Sequence, residues 1–471
     1  MRRSREYDAY AATSEPKYAS GASSTVPPHS RHGHRPGHGH GGGAHSHLPL
    51  FLRRGSRHGG KGGLLPNRQG ESGRSGVHPW MFLKICFRSA SSMSMLVNVL
   101  WPAVPAAIAI HFARPDLHLA IFVLNYIAMV PAANTLGFSA QELARKLPTV
   151  LGVMLETTFG SVVEIVLFMV FISRGEESVQ IIKAAILGSI LANLLLCLGS
   201  CFLAGGFRRD EQTFHEAVSE TGSGLMLVAG MALVIPAAFA NGLGQGDAAE
   251  FEEEVLKISR AAAIVLLIAF FVWVWYQAHS HHGLYEEILI KDEHKDEDRH
   301  EDLAKPKLTF TECCLALGIS LACVSMIAVF LVEQIHWIVE ERGVKDAFVG
   351  LILIPVVEKA AEHLTAVDEA YDNQMNFALS HVLGASIQTA LLNTPLVVIV
   401  GWGLDVHMDL RFEVFDAVVL ILAILVVGSF LRDKKSNYLE GALCVLVYVL
   451  IAVVAFYYPN PSEEGGEEGG H

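Results

Sequence analysis

Two apolar stretches decide how this chain is read: LGVMLETTFGSVVEIVLFMVFI, Leu151–Ile172, and FVGLILIPVVEKAAEHLTAV, Phe348–Val367. Each approaches the roughly 20 residues needed to cross a hydrocarbon layer. Each also carries an acid well inside it, Glu164 in the first and Glu362 in the second. A carboxylate near the bilayer centre costs roughly 2.5–3.5 kcal/mol on insertion scales, so two at matching positions point to an ion pathway. The plainer alternative is that both acids merely tie helices together through hydrogen bonds.

Outward from these stretches, 51% of the 471 residues are hydrophobic and the mean hydropathy is +0.37. Apolar runs at 94–112, 117–137, 150–172, 181–205, 222–241, 260–278, 310–331, 347–367, 377–401, 414–431 and 439–457 predict an all-α polytopic membrane protein with about eleven transmembrane helices. Helices two to six and seven to eleven form two units of five. An odd number of spans between the copies makes the second enter the membrane from the other side, so the fold expected is two inverted five-helix repeats plus an extra N-terminal helix. The expected organisation is a cytosolic tail at 1–80, the extra helix at 94–112, a first repeat at 117–278, an acidic cytosolic loop at 279–309, a second repeat at 310–457 and an acidic tail at 458–471.

Residues 1–80 are rich in Gly, Ser, Pro, His and Arg and too poor in large apolar groups to offset folding entropy, so disorder is expected there. No apolar run there resembles a signal peptide, which leaves targeting to the first helix. The tail's arginines, together with Arg145, Lys146, Arg208, Arg209, Arg432, Lys434 and Lys435 in the even-numbered loops, place the N-terminus in the cytosol by the positive-inside rule. Net charge is −13. Much of the acidity lies in Glu286–Asp302, read as a solvated spacer between the halves, with a weak cation sensor as the alternative. The histidines between His29 and His47 could bind a soft metal weakly or sense pH, or be incidental to a polar tail. The seven cysteines lack metal spacing and are read as buried apolar thiols.

The two copies offer oxygen ligands. In the first, Thr157, Gly160, Ser161 and Glu164 share a helical stripe, Gly160 being small enough to permit close approach. In the second, Pro355, Glu358, Lys359 and Glu362 share a comparable stripe, and Pro355 can free backbone carbonyls for an ion. The helices that follow add Ser189 and Asn193 in the first copy and Ser386 and Gln388 in the second. Such an oxygen set suits a hard divalent cation, since Ca²⁺ takes about 6–8 oxygen ligands. Carboxylates that bind either metal or proton link cation entry to proton release. His363, beside Glu362, either relays protons or packs helices, and Glu358 and Lys359 are candidate modulators.

At these residues the chain resembles the cation/proton exchanger family, especially the fungal vacuolar Ca²⁺/H⁺ exchangers of the calcium/cation antiporter superfamily. The likeness covers roughly residues 94–459. It rests on Thr158-Phe159-Gly160, on GSILANLLLCLGSCFLAGG from Gly188 to Gly206, on Ala361-Glu362-His363, and on NYLEGALCVLVYVLIAVVAFYYP near the end. The resemblance implies that the acids of a repeated Gly-Asn-x-x-Glu signature, here Glu164 and Glu362, bind the transported cation. It further implies Ca²⁺ loading of a vacuole by alternating access. The chain departs from that pattern. Ser161 stands for Asn in the first copy, and Glu358-Lys359 stands for Gly-Asn in the second. A tethered ammonium at Lys359 could block the site, so the alternative is an exchanger-derived protein with altered cation selectivity or no transport, acting as a membrane regulator or scaffold.

An enzyme is not expected, because Glu362-His363 lacks the second His of a metalloprotease helix and no activated nucleophile is apparent. No cofactor and no nucleic-acid partner are expected. The partners are inorganic cations, protons and membrane lipid, with a homodimer as an allowed assembly.

Overall fold

The computed structural model describes residues 72–89, 91–147, 152, 155, 158–242, 248–295 and 305–458. The expected disorder of the tail up to residue 71, the histidines between His29 and His47, the tail from 459 onwards, and the ligand reading of Thr157 lie outside these residues.

A short amphipathic helix, α1 (Pro79–Arg88), precedes an interrupted apolar segment, α2 (Ser92–Asn98) and α3 (Ala103–Ala113). The interruption falls beside Pro102, which cannot donate to a helical ladder. The first half follows as α4 (His118–Ala144), α5 (Val162–Ile172), α6 (Val179–Leu191), α7 (Leu198–Gly206), α8 (Glu216–Gly242) and α9 (Ala248–Trp275). A linker helix, α10 (His282–Glu293), leads to the second half: α11 (Phe310–Arg342), α12 (Ile354–Tyr371), α13 (Met375–Gln388), α14 (Thr394–Gly403), α15 (Val414–Leu431) and α16 (Tyr438–Tyr457).

Among the described residues, nine helical spans are long and apolar enough to cross a membrane. They include Ser92–Ala113, Glu176–Gly206 and Met375–Gly403. The two remaining expected spans are those of α5 and α12, which carry Glu164 and Glu362. α5 is apolar but short, and in α12 the charges needed for the site lower the hydropathy by which a span is recognised.

Packing follows the two-half plan. α4 lies along α11, and α8 along α15. The other contacts come in matched sets: α4 on α12 and α11 on α5, α7 on α12 and α14 on α5, α7 on α16 and α14 on α9. These pairings run between the two halves in both directions. The helices differ widely in how far the rest of the protein covers them. The most apolar window of Glu176–Gly206 is 94% buried, against 28% for Tyr438–Tyr457. α8, α9, α15 and α16 turn residues such as Val228, Phe271, Leu422 and Leu450 outward, which in water would be a liability and in lipid is solvation.

The central spans are irregular at corresponding places. A π-helical segment, Ala192–Cys197, joins α6 to α7, and another, Thr389–Asn393, joins α13 to α14. A third, Val349–Leu353, leads into α12 just before Pro355. Such bulges leave carbonyls outside the regular ladder and occur often at functional sites. Tyr126 of α4 donates its hydroxyl to one of these, Leu353 O, at 2.8 Å.

Two readings of the loops and thiols need correction. Asp292, expected in a solvated spacer, is fully buried and accepts hydrogen bonds from the backbone N–H of Asn376 at 2.7 Å and of Phe377 at 3.3 Å. A carboxylate against the free N–H groups of the α13 N-terminus is favourable enough to draw that part of the linker onto the bundle. Cys314 is exposed and Cys323 half-buried on α11, while Cys86, Cys197, Cys201, Cys313 and Cys444 are buried as expected. At one end of the bundle, Gln212–Thr213 and Lys435–Ser436 pair as a two-residue antiparallel ladder, joining basic loops from both halves.

Candidate cation site

α5 follows its N-cap residue Ser161 and carries Glu164 in its first turn, and α12 carries Glu358 and Lys359 in its second turn and Glu362 in its third. Lys359 and Glu362 are three residues apart and Glu358 and Glu362 four, so Glu362 shares a face with both, and Glu358 stands about a quarter-turn round from Lys359. The crossing of α5 with the second half therefore sets acids from both repeats around one point.

That point is occupied by the Lys359 ammonium. Its Nζ lies 3.0 Å from Glu164 Oε2 and 3.5 Å from Glu362 Oε2. The Glu164 side chain is 0% exposed and that of Lys359 2%, whereas Glu362 is 38% exposed. One acid is sealed within the protein and the other opens toward the surroundings. Thr389, in the π segment after α13, donates its hydroxyl to Glu164 Oε2 at 2.9 Å. Ser189 Oγ lies 3.4 Å from Thr389 Oγ1.

Several polar atoms at this locus are buried without a hydrogen-bond partner: Glu164 Oε1, both carboxylate oxygens of Glu358, and Asn193 Nδ2. Buried unpaired polar groups are costly and rare in native proteins. Their presence around Glu164 marks a place built for something other than packing.

The remaining expected residues divide. Ser161 donates to Gln388 Oε1 at 2.6 Å, so a first-half hydroxyl and a second-half amide are paired beside the acids. His363 sits on Asn193 Oδ1 at 2.9 Å, a contact between α12 and the π segment after α6. Ser386 differs from the reading that made it a ligand. Its hydroxyl donates to Val382 O of its own helix at 2.9 Å, the usual outcome for a serine inside an apolar helix. Gly160 also differs from the close-approach reading. A Cβ there would meet Gln388 Oε1 at an ordinary 3.6 Å. The close approach falls instead at Gly188, where a Cβ would come within 2.6 Å of Leu351 Cα.

Thr389 was missed by sequence reasoning, because a lone threonine in an apolar helix reads as tolerated packing. Its spacing one residue beyond Gln388 was the available signal. Among the described residues, no group of three or more His, Cys, Asp or Glu is clustered as a ready metal centre. The acids meet around an ammonium, and the surrounding oxygens come from Thr, Ser and amide groups.

Comparison with known proteins bears on this geometry. The sequence profile of the family described as "Sodium/calcium exchanger protein" matches residues 117–278 and 314–457. The chain is 33% identical over 341 residues to the vacuolar calcium ion transporter of Schizosaccharomyces pombe, covering 72% of this chain and 80% of that protein. It is 32% identical to the Ca²⁺/H⁺ antiporter of Aphanothece halophytica, covering 77% of this chain and 96% of that one. Among solved structures, native YfkE superposes with a TM-score of 0.62 at 24% identity, covering 76% of this chain and 99% of that one, a likeness of fold.

Proposed function

The chain belongs to the sodium/calcium exchanger protein family, and from that premise we propose that it exchanges Ca²⁺ for protons across a vacuolar membrane by alternating access. The observation that carries this reading is the convergence of Glu164 and Glu362, one from each half, on a single positive charge at 3.0 and 3.5 Å. Oxygens that hold an ammonium between two helices can hold a divalent ion in its stead. Protons and metal then compete for the same oxygens, and that competition is the coupling.

In this reading Glu164 and Glu362 are the principal ligands. Ser161 and Gln388, paired with each other, and Ser189, linked through Thr389, supply neutral oxygens or orient the acids. Ser386 and Gly160 are assigned supporting places in the helices rather than ligation. His363 holds α12 to the first half through Asn193. The exposure of Glu362 beside a sealed Glu164 supports a site open to one side, with the halves as the moving parts. The inverted arrangement of those halves and the cytosolic N-terminus belong to the same proposal.

The relatives over most of the chain are named as transporters, which favours transport over the regulator or scaffold alternative. The test is ⁴⁵Ca²⁺ uptake into vesicles driven by an imposed pH gradient. Uptake that collapses with the gradient, and is lost in both Glu164→Gln and Glu362→Gln, supports the reading. Uptake indifferent to either substitution overturns it.

A further inference from the structure

We propose that Lys359 is a tethered counter-cation that occupies the Glu164–Glu362 pair when no metal is bound, and that Glu358 is the carboxylate to which its ammonium moves when Ca²⁺ takes the pair. This rests on the exchange reading for the identity of the ion, and on the geometry of α12 for everything else.

Three observations carry it. Lys359 is 2% exposed and contacts both acids at once, so it fills the position a metal would need. Glu358, also 2% exposed, has two oxygens without hydrogen-bond partners, and it stands beside Lys359 and one helical turn from Glu362 on α12. A buried carboxylate left unpaired is expensive, and this one lies next in sequence to the only cation seen in the cluster among the described residues. Finally, the cluster holds three carboxyl groups and one ammonium, which with every group ionised amounts to two net negative charges. A divalent ion on Glu164 and Glu362, with Lys359 on Glu358, neutralises all four groups in pairs. An arrangement with Lys359 still on the ligand acids would leave Glu358 bare and two cations crowded together.

The consequence is a cation-specific threshold. A divalent ion displaces the ammonium because it gains twice the charge attraction from the same oxygens, whereas a monovalent ion gains no more than the ammonium it displaces. Lys359 thereby acts as a specificity-determining residue without coordinating the ion.

The experiment compares Ca²⁺ titrations of the full chain in detergent, read by thermal unfolding, for the wild type, Glu358→Gln, and Glu358→Gln with Lys359→Met. The double variant has the same net site charge as the wild type but no tethered competitor. It is expected to reach half-saturation at about tenfold lower Ca²⁺, and to lose discrimination against Na⁺. Glu358→Gln alone is expected to weaken Ca²⁺ binding by about tenfold or more, because the displaced ammonium has nowhere to go. A double variant matching the wild type, or a Glu358→Gln that binds as the wild type does, overturns the proposal. Glu358→Gln with Lys359→Gln is a second variant of the same charge, for use if the first does not fold. Proton-driven uptake is measured on the same proteins. If the binding order holds while no protein transports, the exchange reading fails and the Lys359 assignment stands. If the wild type transports and the binding order fails, the reverse follows.

Discussion

The two site helices do opposite things with the same residue. In the first half, Glu164 sits on an otherwise apolar α5, sealed at 0% exposure and held by Thr389 from the other half. In the second, Glu362 sits on α12 among Glu358, Lys359 and His363, is 38% exposed, and has Lys359 as the donor seen beside it. A binding site made by related halves need not be symmetric in use. In the exchange reading proposed above, the first half supplies a fixed, dehydrated ligand, and the second supplies the ligand that meets the entering ion together with the charges proposed to regulate it. Sealing one acid while opening the other is also what a site accessible from one side requires.

The largest expected effect tests that division directly. Glu164→Gln removes the sealed partner of a buried ammonium and is expected to cost about 3–5 kcal/mol of stability as well as abolishing uptake. Glu362→Gln is expected to abolish uptake equally, yet to cost about 1 kcal/mol or less, because solvent screens a group that is more than a third exposed. Thermal unfolding in detergent alongside uptake in vesicles separates the two. Equal stability losses would mean that both acids are alike in the folded protein, and the comparison would fall.

Next is the support given to Glu164. Thr389→Val deletes a hydrogen bond to a charged group, worth about 1.5–3 kcal/mol, and is expected to raise half-saturating Ca²⁺ by tenfold or more in the uptake assay. Asn193→Ala, on the corresponding π segment of the first half, loses only the contact with His363 and is expected to move half-saturation less. If Asn193→Ala proves the more damaging, the second-half acid is the one that depends on its scaffold.

The matched glycines come third. Gly188 and Gly384 lie near the C-terminal ends of α6 and α13, but a Cβ at Gly188 meets the Leu351 backbone while one at Gly384 meets nothing within 4 Å. Gly188→Ala is therefore expected to lose about 1–3 kcal/mol through overpacking. Gly384→Ala is expected to be neutral or to gain up to about 1 kcal/mol of helix propensity. The melting temperatures of the two purified variants check the sign of the difference.

Much of this was legible in the residues. The span expected at 181–205 falls within Glu176–Gly206, and that at 414–431 coincides with α15, because a run of Leu, Ile and Val has few other solutions in a bilayer. The acids could be picked out because each is expensive where it stands. Less legible was anything that depended on which residue meets which. Thr389 and Leu353 look like ordinary packing in sequence, and their roles arise from π segments that shift a helix's facing without any compositional mark. Lys359 was visible as an intrusion, but whether it turned toward a vestibule or into the acids was a question of helix crossing. Asp292 was hidden by its neighbours, since one buried carboxylate in a charged run has the same composition as a solvated one.

The smallest expected effect concerns the pair of serines that sequence treated as equals. Ser161 gives its proton to Gln388, across the boundary between halves, so Ser161→Ala leaves a half-buried amide oxygen unpaired and is expected to cost about 1 kcal/mol. Ser386 gives its proton to Val382 O, a carbonyl that already has its ladder partner in the helix. Ser386→Ala removes a redundant hydrogen bond, relaxes the slight bend such back-bonding imposes, and substitutes the best helix former. It is expected to change stability by less than about 0.5 kcal/mol and to leave half-saturating Ca²⁺ within twofold of the wild type, roughly the 0.4 kcal/mol that such a shift represents. A larger loss of uptake in Ser386→Ala would mean that its hydroxyl turns from its own helix to the ion during transport, and would restore to the second half a ligand that its resting geometry withholds.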